Sequence, residues 1–207
     1  IEGFKNGVLY GFFVFGKNNK AGYGLSEKSE MLILQRSKPF PPLDPTAVTG
    51  VDDLYDGKAR VNWKVPYHGG ALITHYRIDV EQHEPLDADS KDNLPCNPNT
   101  TESSRWKQNP SLSVVAQGEI TTARVLHNLT NAVCYRFKVS AVNKLGESPM
   151  SVFTNTVVPR SVPNSTSNVA AIGGDAQVRL TWEIPFSNGA KITEYQVSMT
   201  KVRVLFP

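Results

Sequence analysis

The sequence predicts an all-β protein on three observations. Apolar and polar residues alternate with a period of two: Ala59, Val61 and Trp63 with Arg60, Asn62 and Lys64, and Tyr135, Phe137 and Val139 with Arg136, Lys138 and Ser140. This is the pattern of strands with one buried face. The 14 Pro and 15 Gly are scattered as punctuation between such runs rather than packed into one tract, which suits many short strands joined by turns. The third observation is an internal repeat.

The stretch VNWKVPYHGGALITHYRIDV recurs as LTWEIPFSNGAKITEYQVSM. Trp63, Pro66, Gly70, Ile73, Thr74 and Tyr76 correspond to Trp182, Pro185, Gly189, Ile192, Thr193 and Tyr195 at one offset. A second match relates LYGFFVFGKNNKAGYG to CYRFKVSAVNKLGES. It aligns Tyr10, Phe12 and Val14 with Tyr135, Phe137 and Val139 and slips by one residue before Gly22 and Gly146. The chain is therefore expected to hold the tail of one repeat (1–38), a whole repeat (39–160) and the head of a third (161–207). The Pro-rich linkers KPFPPLDP and PRSVPNSTS, near Lys38–Pro45 and Pro159–Asn164, mark the boundaries, since Pro and small polar residues keep a chain extended and exclude helix. The chain opens on Ile1 and is expected to be an internal piece of a longer protein.

These residues resemble fibronectin type III domains. The likeness rests on a Trp in a W-x-x-P context, a Gly turn leading to I-T-x-Y, and the run Leu129, Tyr135, Phe137, Val139, Ala141 and Asn143 in L-x-x-x-x-x-Y-x-F-x-V-x-A-x-N. The resemblance implies an immunoglobulin-like β-sandwich, one complete repeat flanked by two partial ones. Strands F and G would lie at 8–35, A to G at 46–158, and A to C at 167–200. It implies a structural core of Trp63, Tyr76, Leu129, Tyr135, Phe137 and Val139, with Trp182 and Tyr195 as their counterparts. Tyr135 has the spacing of a tyrosine corner, ring inward and hydroxyl bonded to nearby backbone.

The middle repeat departs from the family in an insertion, HEPLDADSKDNLPCNPNTTES, between strand C, ending near Gln82, and SRWKQ, which resembles strand C′ with Trp106 covering the sheet. It holds one of two cysteines, Cys96; the other, Cys134, opens strand F. On the implied fold these segments share one end of the sandwich and Cys134 points outward, so a disulfide is geometrically allowed. Closing that loop would stabilise the domain by roughly 4 kcal/mol in the chain-entropy model; two reduced thiols are the alternative. Sequons at Asn99, Asn128 and Asn164 fall in expected loops or linkers, where N-glycosylation is tolerated. The cysteine pair and the sequons favour an extracellular or cell-surface setting.

No catalytic constellation, and hence no cofactor, is expected. Gly22-Tyr23-Gly24 lacks the third glycine of a dinucleotide fingerprint and reads as an F–G turn. His68, His75, His83 and His127 have no metal-ligand spacing and read as surface histidines. Asp87, Asp89 and Asp92 resemble the start of a calcium loop, but Lys91 stands at a ligand position and no Gly or terminal Glu follows. A net charge of +3 without a basic run argues against nucleic acid, and no apolar run spans a membrane. The sequence holds no Arg-Gly-Asp and points to no small-molecule substrate. The expectation is a non-catalytic protein-binding or spacer module of a cell-surface, receptor or matrix protein, with partners unidentified. The alternatives are an accessory region of a larger enzyme or an intracellular filament scaffold, because this fold serves many roles.

Overall fold

The alternating runs form strands, and those of residues 43–157 close into two facing sheets. The computed structural model describes residues 1–19, 22–83 and 106–200. In the N-terminal segment β1 (Leu9–Tyr10) pairs antiparallel with β4 (Leu32–Ile33), and β2 (Phe15–Asn18) with β3 (Gly22–Leu25). Gly22 to Gly24 thus lie on β3 rather than in the F–G turn expected for them, because the ladder runs from Phe15 opposite Leu25 to Asn18 opposite Gly22.

The central sandwich begins with β5 (Leu43–Val48), β6 (Ala59–Lys64) and the long β7 (Ile73–His83). After the insertion come β8 (Trp106–Gln108), a 3-10 turn at Pro110–Leu112, β9 (Val114–Gln117), β10 (Ala123–Leu126), β11 (Cys134–Asn143) and β12 (Gly146–Glu147). One sheet has the order β10-β6-β5; the other has β12-β11-β7-β8, with β9 also paired to β7. Every second residue of β6, β7 and β11 enters the space between the sheets. Val61, Tyr76, Ile78, Val80, Phe137 and Val139 are completely buried there, with Trp63 against Tyr76 at a ring separation of 5.1 Å.

Residues 148–157, the last pass of the sandwich, do not form a regular ladder. The N–H groups of Ser148, Ser151, Thr154 and Val157 donate to the carbonyls of Ala141, Val139, Phe137 and Tyr135, so this segment advances three residues for each two of β11. Such a step misaligns alternate backbone acceptors. The buried hydroxyls replace them: Ala141, Val139 and Phe137 N–H donate to Ser148 Oγ, Ser151 Oγ and Thr154 Oγ1 at 3.0, 3.0 and 3.1 Å. These three buried N–H groups of β11 thus keep an acceptor, as buried backbone requires. The N-terminal segment repeats the device with Ser26 and Ser29, which accept from Val14 and Phe12.

In the C-terminal segment β13 (Ser167–Gly174) pairs with β14 (Gln177–Glu183). The last of the three strands expected within 167–200 is not formed, and the burial expected of Trp182 and Tyr195 is not reached. Their rings meet at 5.2 Å and 54°, almost as Trp63 and Tyr76 do at 5.1 Å and 52°, yet Tyr195 is 41% exposed. The physical reason is non-local. The equivalent β7 is held between β11, β8 and β9, and among the described residues 167–200 have no such neighbours.

Candidate interaction site

The outer face of the larger sheet carries a lattice of paired charges and rings. Alternation along β7 turns Arg77, Asp79 and Glu81 outward, and β11 turns Arg136 and Lys138 to the same side. The Arg136 guanidinium lies 4.2 Å from the centroid of Trp106 and 3.8 Å from that of Phe153, while Lys138 Nζ sits 3.9 Å from Phe153. Arg136 also donates from Nε and Nη2 to Glu81 Oε2 at 2.9 and 2.6 Å. Arg77 bridges to Glu147 Oε2 at 2.9 Å, and Ser140 donates to the other oxygen of Glu147. Stacking and ion pairing fix these long side chains in one plane. Nearly neutral and half-exposed, this face is chemically suited to contact with another protein surface.

The end of the sandwich where β6 turns into β7 is organised by Asn143. Its Nδ2 donates to the carbonyls of Ser37, His68 and Ala71 at 2.8, 3.0 and 3.2 Å, and its Oδ1 accepts from Leu145 N–H. One buried amide thereby joins the linker, the turn at 66–71 and the end of β11. Phe40 N–H donates to Tyr67 carbonyl, and the Tyr67 hydroxyl donates to the Asn6 carbonyl. Phe4, Phe40, Leu43, Pro66 and Tyr67 surround a largely apolar groove of about 390 Å³ here.

At the opposite end the Tyr135 hydroxyl accepts from Thr130 N–H at 2.9 Å, and Tyr10 does the same for Lys5. Leu129 is buried beside it. Cys134 takes the face opposite Tyr135, as alternation requires, but is covered there and only 3% exposed, in register with His83, whose ring packs edge-on against Trp106. His83 is likewise buried rather than a surface histidine, and its Nε2 has no hydrogen-bond partner. The indole of Trp106 closes the sheet's outer face at this end. Cys96, Asn99 and the aspartates of the insertion lie outside the described residues; among those described there is no free cysteine. Asn128 is exposed in the left-handed region at φ +60°, and exposed Asn164 accepts from Asn188 Nδ2.

Four residues that organise this sandwich carried no apolar signal: Asn143, Ser148, Ser151 and Asn155. The spacing S-x-x-S-x-x-T in ESPMSVFTN was the available clue, and it recurs in part as SEKS. Asn155 bonds both to the N–H and to the carbonyl of Ala47 at 2.9 and 2.8 Å, tying the last pass of one sheet to β5 of the other. Among the described residues no group of acidic, His or Cys side chains could hold a metal ion, and no helix is long and apolar enough to cross a membrane.

Two antiparallel sheets, a tyrosine corner and a Trp–Tyr pair between the sheets define an immunoglobulin-like sandwich. The fibronectin type III domain is matched over residues 44–157, more than half of the chain, and the chain belongs to that family. It is similar to fibronectin type-III domain-containing protein 3a of Gallus gallus, 28% identical over 92% of this chain and 14% of that protein. A Kelch domain-containing protein of Saccharolobus solfataricus is also 28% identical, over 89% of this chain and 21% of its own length. The chain thus spans about a fifth or less of these relatives. Among solved structures it is similar to the FN1–FN3 domains of chicken CNTN1, at 17% identity and a TM-score of 0.47, covering 86% of this chain and 53% of that one.

Proposed function

We propose that this chain is a non-catalytic protein-binding and spacer module of a cell-surface, receptor or matrix protein, made of consecutive repeats divided at 38/39 and 160/161. The observation that carries this reading is the position of the linkers. The chain enters the central sandwich beside the turn at 66–71, where Phe40 bonds to Tyr67, and leaves it beside the turn before β11, where Ala132 N–H donates to Pro159 carbonyl. These turns are at opposite ends of the antiparallel pair β7–β11. At about 3.4 Å per residue the eleven residues of β7 make each such unit roughly 35 Å long. The outer face bearing Arg136, Trp106 and Phe153 is left open for a protein partner.

For the compartment, a bridge between Cys96 and Cys134 and glycans on Asn99, Asn128 and Asn164 are proposed. Cys134 lies in register with His83, where the insertion departs, and both described sequon asparagines are exposed. The test is the intact mass of the protein from its native source, before and after reduction and enzymatic deglycosylation. A gain of two hydrogens on reduction together with glycan loss is expected. Reduced thiols and bare asparagines would overturn the extracellular placement in favour of an intracellular scaffold.

A further inference from the structure

The joint between the N-terminal segment and the central sandwich is built a second time between the central sandwich and the C-terminal segment. In the first joint Ser37 N–H donates to Gly69 carbonyl and Phe40 N–H to Tyr67 carbonyl, at 2.8 and 2.9 Å. In the second, Ser161 N–H donates to Asn188 carbonyl and Asn164 N–H to Phe186 carbonyl, at 3.0 and 2.9 Å. Gly69 and Tyr67 stand to Asn188 and Phe186 at the offset that relates Trp63 to Trp182. Both linkers therefore lie along the same two carbonyls of the following turn.

The backbone contact beneath them is also duplicated. Gly70, at φ +83°, packs on Gly7 so closely that a Cβ on it would stand 2.5 Å from Gly7 Cα. Gly189, at φ +85°, packs on Ala132 and Pro159, where a Cβ would stand 2.8 Å from the Pro159 carbonyl oxygen and 3.1 Å from Ala132 N. Gly7 and Ala132 are themselves equivalent, at the offset relating Tyr10 to Tyr135, and both have left-handed φ, +74° and +65°. The two glycines are required twice over, by the positive φ and by the close approach.

We propose that the turn between β6 and β7, and its counterpart at 185–190, is a docking surface for the turn that precedes strand F in the repeat before it. Neighbouring repeats of this chain are each other's partners there, packed head to tail in one fixed orientation. The surfaces on the two sides of the joint differ, so the contact is heterologous and propagates an open, regularly twisted rod rather than closing on itself. A flexible Pro-containing tether would not place two backbone donors on two equivalent carbonyls in both joints. This inference rests on reading the chain as consecutive repeats.

The test is amide hydrogen exchange, followed by NMR on the whole 207-residue chain. The amides of Ser37, Phe40, Ser161 and Asn164 should exchange at least about tenfold more slowly than an unstructured linker. Gly189→Ala should remove the protection of Ser161 and Asn164 while leaving Ser37, Phe40 and β11 unchanged, and Gly70→Ala should do the converse. Asn188→Gly, which keeps a left-handed backbone and deletes only the Nδ2 bonds to Val162 carbonyl and Asn164 Oδ1, should speed exchange at Asn164 several-fold, on the order of the loss of one hydrogen bond. Linker amides that exchange freely while β13 and β14 are protected would overturn the docking and leave the repeats standing. So would protection that neither Gly189→Ala nor Asn188→Gly changes. Exchange without protection throughout β13 and β14 would overturn the repeat reading of 161–207 and the docking with it.

Discussion

Asn155 offers a sharp test of how the two sheets are held together. Its amide pairs with both halves of the Ala47 peptide unit, N–H to Oδ1 at 2.9 Å and Nδ2–H to the carbonyl at 2.8 Å. Ala47 is 2% exposed, so water cannot readily replace either bond. In Asn155→Ala both backbone groups lose their partner, and an orphaned buried group costs about 1–3 kcal/mol. Allowing for partial relaxation, the sandwich should lose about 2–4 kcal/mol, or about 8–20 °C in Tm for a domain near this size. Urea unfolding monitored by Trp63 fluorescence measures the loss. Asn155→Asp sharpens the test, because its carboxylate still accepts from Ala47 N–H but repels the Ala47 carbonyl. Protonation restores a donor, so the folded state should raise this carboxyl's pKa, and the deficit relative to the unaltered protein should shrink as pH falls through it. A loss below about 0.5 kcal/mol in the Ala variant, against the 1–3 kcal/mol expected per group, would refute the clamp, as would a pH-independent deficit in the Asp variant.

Ser151→Ala should cost about 1–2 kcal/mol, because Val139 N–H, buried at the centre of β11, loses the acceptor that the three-for-two step denies it elsewhere; full stability in a denaturant titration would mean that the hydroxyl is dispensable. Trp63→Ala should cost about 3–5 kcal/mol as a truncated buried aromatic, whereas Trp182→Ala should leave the unfolding midpoint of the central sandwich unmoved. Burial, reinforced by the negative charge of Glu119, lifts the Tyr76 phenol above its ordinary value of 10.0. The sign follows: the stability it contributes is complete below that value and is lost as pH rises through the higher folded-state value. Tyr76→Phe should therefore flatten the fall in unfolding midpoint on the alkaline side, and an unchanged alkaline profile would contradict the assignment.

The sequence carried the sandwich wherever burial is apolar and local. Ala59, Val61 and Trp63 alternate because β6 has one face in the core, and the same holds for Tyr135, Phe137 and Val139 on β11. The last pass was not legible in this way. Its buried positions recur every third residue and are Ser148, Ser151 and Thr154, so neither the period nor the polarity matches a strand template. Asn155 was silent for the same reason, and Asn143 stood in the family pattern without its role being legible: their value lies in which backbone groups they reach, and that depends on the assembled fold. Cys134 was expected to point outward from alternation, which says which face a residue is on but not what covers that face, and His83 was read as a surface histidine because it shows no metal-ligand spacing; both are covered. Trp182 and Tyr195 are the converse case, with the local signal and the ring pairing present and only the opposing sheet missing.

Spacing and binding then follow from different features of the same topology. The central sandwich makes its passes along β5, β6, β7, the β8–β9 pair, β10, β11 and residues 148–157, and each reverses the one before it. Seven passes, an odd number, deliver the chain to the end opposite its point of entry, as the proposed spacer role requires; an even number would return it to the end where it entered. The joints at the two ends are made from backbone carbonyls, glycines and asparagine amides. The outer sheet face is made from side chains of β7, β8, β11 and Phe153. Side-chain substitutions such as Arg136→Ala or Trp106→Ala should therefore alter the face without touching the geometry of either joint, so the proposed binding and the proposed docking can be tested independently of one another.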